Sequence, residues 1–259
     1  MKELLKHIIF DQREKDISQM IERDIDISLV NSPEVLVISG IRRCGKSVLL
    51  QQIRSQQTEQ DYYMNFDDER LINFKVDDFQ TLYEAFIELF GEQKTFYFDE
   101  IQNIPGWERF VRRLHDSGCK VFVTGSNANM LSRELGTHLT GRYCQIELYP
   151  FSFPEYLKYQ HFDLVANWEY NLKVKAELVK KFETYFYFGG FAETFPLKDK
   201  RSWLNSLFQK ILLGDVISRN DIRNESSIRL IVKKLAESIM QPLALARILG
   251  VIKSAGCSL

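Results

Sequence analysis

An α/β fold, with a parallel sheet covered by helices on both faces and a smaller all-α portion after it, is predicted by three features of the sequence. Short β-branched and aromatic runs alternate with helical segments over residues 1–150. A glycine-bearing stretch, Gly40-Ile41-Arg42-Arg43-Cys44-Gly45-Lys46-Ser47, stands between the first strand and the helix after it. Beyond Pro150 and Pro154 the strand signals stop and only helical segments follow.

Val35-Leu36-Val37-Ile38 reads as a buried strand, and Val48 to Ile53 as the helix that follows the glycine stretch. Tyr62 to Phe66 reads as a second strand, Thr81 to Phe90 as an amphipathic helix, and Thr95 to Phe98 as a third strand. Trp107 to His115 is helical, Lys120 to Val123 a strand, Asn129 to Leu135 a helix, and Tyr143 to Leu148 a fifth strand. The later helices are expected at Glu155 to Gln160, Lys173 to Tyr187, Ser202 to Ile217, Ser226 to Met240 and Leu243 to Ser254. No repeat of fixed period and no low-complexity segment interrupts this order.

Gly40 to Ser47 fits the phosphate-binding pattern G-x-x-x-x-G-K-[ST] in the strand-loop-helix setting that the pattern requires. Glycines let the backbone turn tightly and bring its N–H groups to phosphate oxygens, and the following helix N-terminus adds partial positive charge. The chain is therefore expected to bind ATP through Gly40, Ile41, Arg42, Arg43, Cys44, Gly45, Lys46, Ser47 and Val48. Lys46 is expected at the β- and γ-phosphates, and Ser47 on Mg²⁺.

Asp99-Glu100 closes the third strand, where a carboxylate beside the loop holds the magnesium; Asp99 takes that role. Glu100 is the expected catalytic carboxylate, orienting the attacking water or accepting its proton. That pairing, with an extra strand between the loop strand and the acidic strand, favours a hydrolase over a transferase. Thr124-Gly125-Ser126-Asn127 places small polar groups after the fourth strand; Asn127 and Ser126 are candidates to contact the γ-phosphate or the water, and a plain Gly-Ser-Asn turn is the other reading. Arg142, before the fifth strand, is a candidate to stabilise transition-state charge in its own chain or a neighbour's, against the reading of a surface arginine. Asp67-Asp68-Glu69 reads as a solvated turn or as added water and metal contacts. The histidines show no ligand spacing.

Composition narrows the remaining classes. With 259 residues, 45% hydrophobic and 27% charged, the chain has enough apolar content for a folded core. Lys and Arg number 34 against 35 Asp and Glu, so net charge lends no support to nucleic-acid binding. No apolar run reaches membrane-spanning length, and Met1 to Phe10 is too short and charged for a signal peptide. Four cysteines without metal-ligand spacing fit reduced thiols, so a cytoplasmic protein without membrane contact is expected. The Cys44 thiol is expected to be incidental, because phosphate needs only the backbone there.

In combination these motifs, with Tyr63 to Arg70, Phe98 to Gln102, Leu139 to Arg142 and Tyr149-Pro150-Phe151-Ser152-Phe153-Pro154-Glu155-Tyr156, come in the order and spacing of a known family. The chain resembles the prokaryotic AAA-type ATPases that carry a DUF4143 domain, over about Ile21 to Lys253. The resemblance implies an AAA+-like ASCE core with Walker A at Gly40 to Ser47, Walker B at Phe96 to Glu100, a sensor-type residue near Asn127, and an arginine at Arg142. It also implies a helical lid in which Phe188-Gly189-Gly190-Phe191 matches the family's G-G-[FL]-P turn, with Ala192 in place of the proline.

Members of that family run on through a winged-helix-like segment, beginning much like Ser238 to Pro242, into a C-terminal domain of nuclease-like fold. The expected organisation is thus an ATPase core at 1–150, a helical lid at 151–238 and the start of a truncated segment at 239–259. The leading function is Mg²⁺-dependent ATP hydrolysis driving a conformational change in an attached domain or protein partner, with an oligomer compatible with Arg142 acting in trans. A slow nucleotide switch or adaptor, a small-molecule kinase and a DNA-associated module are the competing readings.

Overall fold

The computed structural model describes residues 1–13, 20–126, 139–220, 222, 224–239, 244, 246 and 248–250. The chain forms two compact units, Met1–Leu197 and Lys198–Leu259.

The first unit is built on five parallel strands, β1 (Val35–Ser39), β2 (Tyr63–Asn65), β3 (Thr95–Asp99), β4 (Lys120–Gly125) and β5 (Tyr143–Glu147), in the order β2-β3-β4-β1-β5. The extra strand expected between the loop strand and the acidic strand is β4. Alternate residues of each central strand enter opposite cores: Val35, Val37, Phe96, Phe98, Val121 and Val123 face one side, and Leu36, Ile38, Tyr97 and Phe122 the other. Burial on both faces explains why these strands read as continuous apolar runs.

The first face is covered by α1 (Lys2–Arg13), α4 (Asp78–Phe90) and α5 (Trp107–Asp116), which insert Leu5, Ile8, Phe79, Phe86, Trp107 and Phe110. The second is covered by α2 (Ile27–Val30) and α3 (Lys46–Ser55), through Val30, Leu49, Leu50 and Ile53. Helix α1 went unread in the sequence, although Leu5, Ile8, Ile9 and Gln12 keep a helical spacing and are all buried. Gln12 closes the edge of the sheet: its amide donates to the Asn65 carbonyl at 3.1 Å and accepts from the Asn65 N–H at 2.7 Å.

Past β5 come α6 (Phe153–Tyr159) and α7 (Leu172–Phe188). The first unit extends beyond the boundary expected at residue 150, to residue 197. The reason is local: Phe151 N–H donates to Gly190 O at 2.8 Å, and Tyr185 OH to Phe151 O at 2.8 Å, so the segment after β5 is tied into the same unit. Pro154 does not break an element. It lies in the first turn of α6, where its missing N–H costs nothing, behind the Ser152–Glu155 capping box.

The second unit holds α8 (Lys200–Lys210), capped by Asp199, and α9 (Glu225–Glu237), capped by Asn224. The helix expected to run to Ile217 changes at Ile211 into a π-helical stretch, Ile211–Ile217, that contains Gly214. The helix expected at Asn129 to Leu135 lies outside the described residues, as does most of that at Leu243 to Ser254.

Candidate functional site

The glycine stretch leaves the C-terminal end of β1 at the middle of the sheet. Gly40 has φ +151°, Arg43 +64° and Gly45 +100°, a left-handed path that Gly takes without steric cost. At Gly40 a Cβ would stand 2.2 Å from Leu148 O, so any side chain there collides with the strand end of β5. Lys46 opens α3 with a side chain only 4% exposed; its Nζ donates to Ile41 O at 3.2 Å and lies 3.8 Å from Glu100 Oε1. Arg43 is exposed and pairs with Glu193, and Val48 is exposed. Cys44 is buried in the second core, and burial pushes its thiol pKa up, which leaves it a neutral packing group.

Strand β3 delivers Asp99 and Glu100 to the same place. Asp99 is fully buried and collects hydroxyl donors: Ser47 Oγ at 3.0 Å and Thr124 Oγ1 at 2.5 Å on Oδ1, and Tyr63 OH at 3.3 Å on Oδ2. Burial, with the neighbouring Asp99 charge, pushes the Tyr63 phenol far up, so Tyr63 stays a proton donor. Glu100 adopts φ +51°, ψ +39°, uncommon for a residue with a side chain. That kink is held by its N–H on Thr124 Oγ1 at 2.9 Å and by Gln102 Nε2 on Glu100 Oε2 at 2.6 Å. Thr124 thus ties down both acidic residues from β4.

The donor set fits a magnesium ion bound with phosphate. A compact divalent cation of this kind takes one or two protein oxygens and completes its shell with phosphate and water, and Ser47 and Asp99 supply two such oxygens in mutual contact. Among the described residues no cluster of three or more His, Cys, Asp or Glu could hold a metal without such help.

Other sequence candidates fall elsewhere. Arg142 is not brought to the loop: it precedes β5, the neighbour of β1, and so lies at the N-terminal end of the parallel strands, opposite the C-terminal ends that carry the site, and its Nε donates to Asp116 Oδ1 at 2.9 Å. Asn127 lies outside the described residues. Ser126 Oγ accepts from Gln102 Nε2 at 3.5 Å, beside Glu100. Asp68 caps a short turn, and the guanidinium of Arg70 holds its carboxyl well below the usual range, with Gln12 adding a bond. Asp67 N–H donates to Asn65 Oδ1, and Asn103 donates to Asp67. The acidic run is a capped turn. Cys44, Cys119 and Cys144 are free thiols, and no helix among the described residues is long and apolar enough to cross a membrane.

Arg23 was not singled out in the sequence, and no spacing signals it. It lies in the extended segment before α2, is buried, and donates to Cys44 O at 2.9 Å inside the loop. Beside it a cavity of about 740 Å³ runs along α3, lined by Ile25, Ile27, Asn31, Leu49, Gln52 and Ile53 among others.

Residues 32–157 match the family model described as AAA domain. An uncharacterized protein of Methanocaldococcus jannaschii is 35% identical over 257 residues, covering 97% of this chain and 57% of its own length. An uncharacterized protein of Haemophilus influenzae is 34% identical over 242 residues, covering 88% of this chain and 56% of its own. The chain thus spans a little over half the length of the curated relatives it matches. Among solved structures, AMPPCP-bound DnaA from Aquifex aeolicus is 14% identical and covers 98% of this chain and 86% of its own. PCH-2 of C. elegans is 12% identical, covering 98% and 66%. Both align at a TM-score of 0.35, too distant a likeness to bear on fold or function.

The stretch that matches the AAA-domain model holds both the glycine loop and the acidic strand end, so the likeness falls on the part of the chain that carries the candidate site.

Proposed function

We propose that the chain is a Mg²⁺-dependent ATPase of the DUF4143-associated kind, whose cycle drives a conformational change in an attached domain or protein partner. The observation that carries this reading is the Ser47–Asp99 contact, with Lys46 and Glu100 facing each other across it at 3.8 Å. In this reading the loop N–H groups and Lys46 bind the β- and γ-phosphates, and Ser47 and Asp99 hold the ion, which neutralises charge on the phosphate oxygens. Glu100 orients a water in line with the γ-phosphorus and takes its proton as the new P–O bond forms and the bond to the β–γ bridging oxygen breaks, giving ADP and phosphate. The cavity along α3, lined by both apolar and polar side chains, has room for the base, with Ile25, Leu49 and Ile53 as apolar contacts and Gln52 and Asn31 as polar partners.

ATP binding and phosphate release, measured with Mg²⁺ for the chain beside Lys46→Ala and Glu100→Gln, test it. Binding lost in the first and kept in the second, with release lost in both, is expected. Equal release by Glu100→Gln and wild type removes Glu100 from the mechanism. Binding without release in every form identifies a nucleotide switch in place of an ATPase.

A further inference from the structure

Arg23 spends each face of its guanidinium on a different element. Nη1 donates to Cys44 O in the phosphate loop at 2.9 Å, Nη2 to Tyr149 O after β5 at 2.7 Å, and Nε to Glu155 Oε1 in α6 at 2.8 Å. The Phe151 ring lies under it, 4.6 Å from the guanidinium carbon to the ring centroid. Glu155 is itself fixed, since Oε1 also accepts from Asp24 N–H at 2.9 Å and Oε2 from Ser152 N–H at 2.7 Å. The Arg23–Glu155 pair is almost dry, with side chains 4% and 5% exposed.

The Cys44 carbonyl and the Gly45 N–H belong to one planar, trans peptide unit and point in opposite directions. Arg23 therefore holds the carbonyl away from the loop interior and by the same contact turns the Gly45 N–H inward, toward the place that the nucleotide-binding reading gives to phosphate. A Cβ on Gly45 would lie 3.3 Å from Arg23 Nη1, so only a close-fitting backbone reaches this brace. Any tilt of the peptide as an anion draws its N–H inward must shift the guanidinium, and with it the Tyr149 and Glu155 contacts.

We propose that Arg23 is a positioning residue of the nucleotide site, which aims the loop N–H groups and carries loop occupancy to the Tyr149–Glu155 segment. The inference rests on the nucleotide-binding reading and adds a route from that site to the helical part of the first unit. Lysine keeps the charge for Glu155 but is a point donor that cannot span three acceptors.

The test uses Mg·ADP as probe on the full chain. Titration is expected to give an affinity about tenfold weaker for Arg23→Lys, with the urea midpoint showing a folded protein. Hydrogen exchange is the readout that a merely structural role leaves unmoved. In wild type, saturating Mg·ADP is expected to slow exchange over residues 149–155; in Arg23→Lys at saturation that slowing is expected to be lost while loop protection remains. Equal slowing in both proteins overturns the inference. So does a wild type that binds Mg·ADP with no change over 149–155, a result that stands even if the variant does not fold. A wild type that binds no nucleotide overturns the functional reading and the inference with it.

Discussion

Ser47 Oγ donates to Asp99 Oδ1 at 3.0 Å across 52 positions of sequence, joining the end of the phosphate loop to the end of β3. The contact exists because β1 and β3 run parallel on either side of β4, so their C-terminal ends open on the same edge. Around that edge the structure separates the side chains of the loop and the strand end from those that hold them in place.

Thr124 belongs to the second group. Thr124→Val keeps the shape of the side chain but removes a hydroxyl bound to Asp99 and to the Glu100 N–H. A loss of about 2 kcal/mol in urea unfolding is expected, since a buried carboxylate loses a donor. Turnover is expected to fall by about tenfold or more with nucleotide affinity little changed, because the Glu100 kink loses its anchor. Wild-type turnover in the variant shows that the kink holds without it.

Gly190 and Gly214 make a matched pair of glycine tests. A Cβ on Gly190 would stand 1.8 Å from Phe151 O, whereas one on Gly214 meets nothing within 4 Å. Gly190→Ala is expected to cost about 3 kcal/mol or more, through overpacking against backbone. Gly214→Ala is expected to change stability by no more than about 1 kcal/mol. Thermal or urea unfolding of the two variants side by side decides it.

Ala192 opens a short 3-10 turn directly after Phe191, whose ψ of 110° is the extended conformation that a following proline demands. Ala192→Pro is therefore expected to raise stability by about 0.5–1 kcal/mol by restricting the unfolded chain. A destabilised variant would show that the turn needs the residue 192 N–H.

Burial raises the Glu155 carboxyl pKa, but the Arg23 guanidinium and the N–H groups of Asp24 and Ser152 outweigh that and hold it below the ordinary value. A carboxyl depressed on folding adds stability above its unfolded pKa, near 4.3, and that stability drains away as pH falls through the lower folded value. Wild type is expected to lose stability on acidification below about pH 5 more steeply than Glu155→Gln. Parallel acid limbs in urea midpoints against pH would count against this contribution.

Arg142→Ala is expected to leave the chain's nucleotide affinity within about twofold of wild type, because Arg142 pairs with Asp116 at the N-terminal end of the strands, away from the loop. A tenfold loss of affinity in dilute, monomeric protein, measured by titration, would place it at its own site.

The sequence by itself determined the parallel α/β core, the phosphate loop and the acidic strand end, because each is a local signal. An apolar run buried on both faces, a glycine path of positive φ and a carboxylate closing a strand are all written in consecutive residues. Helix α1 was legible in the spacing of Leu5, Ile8, Ile9 and Gln12 but was hidden by its charged neighbours. What only the tertiary structure decided is which distant residues serve the loop. Arg23 reaches Cys44, Tyr149 and Glu155, Tyr63 and Thr124 close on Asp99, and Arg142 is left at the opposite end of the strands. No periodicity encodes those contacts. They follow from strand order and register, which place side chains by their position in the sheet and not by their separation along the chain.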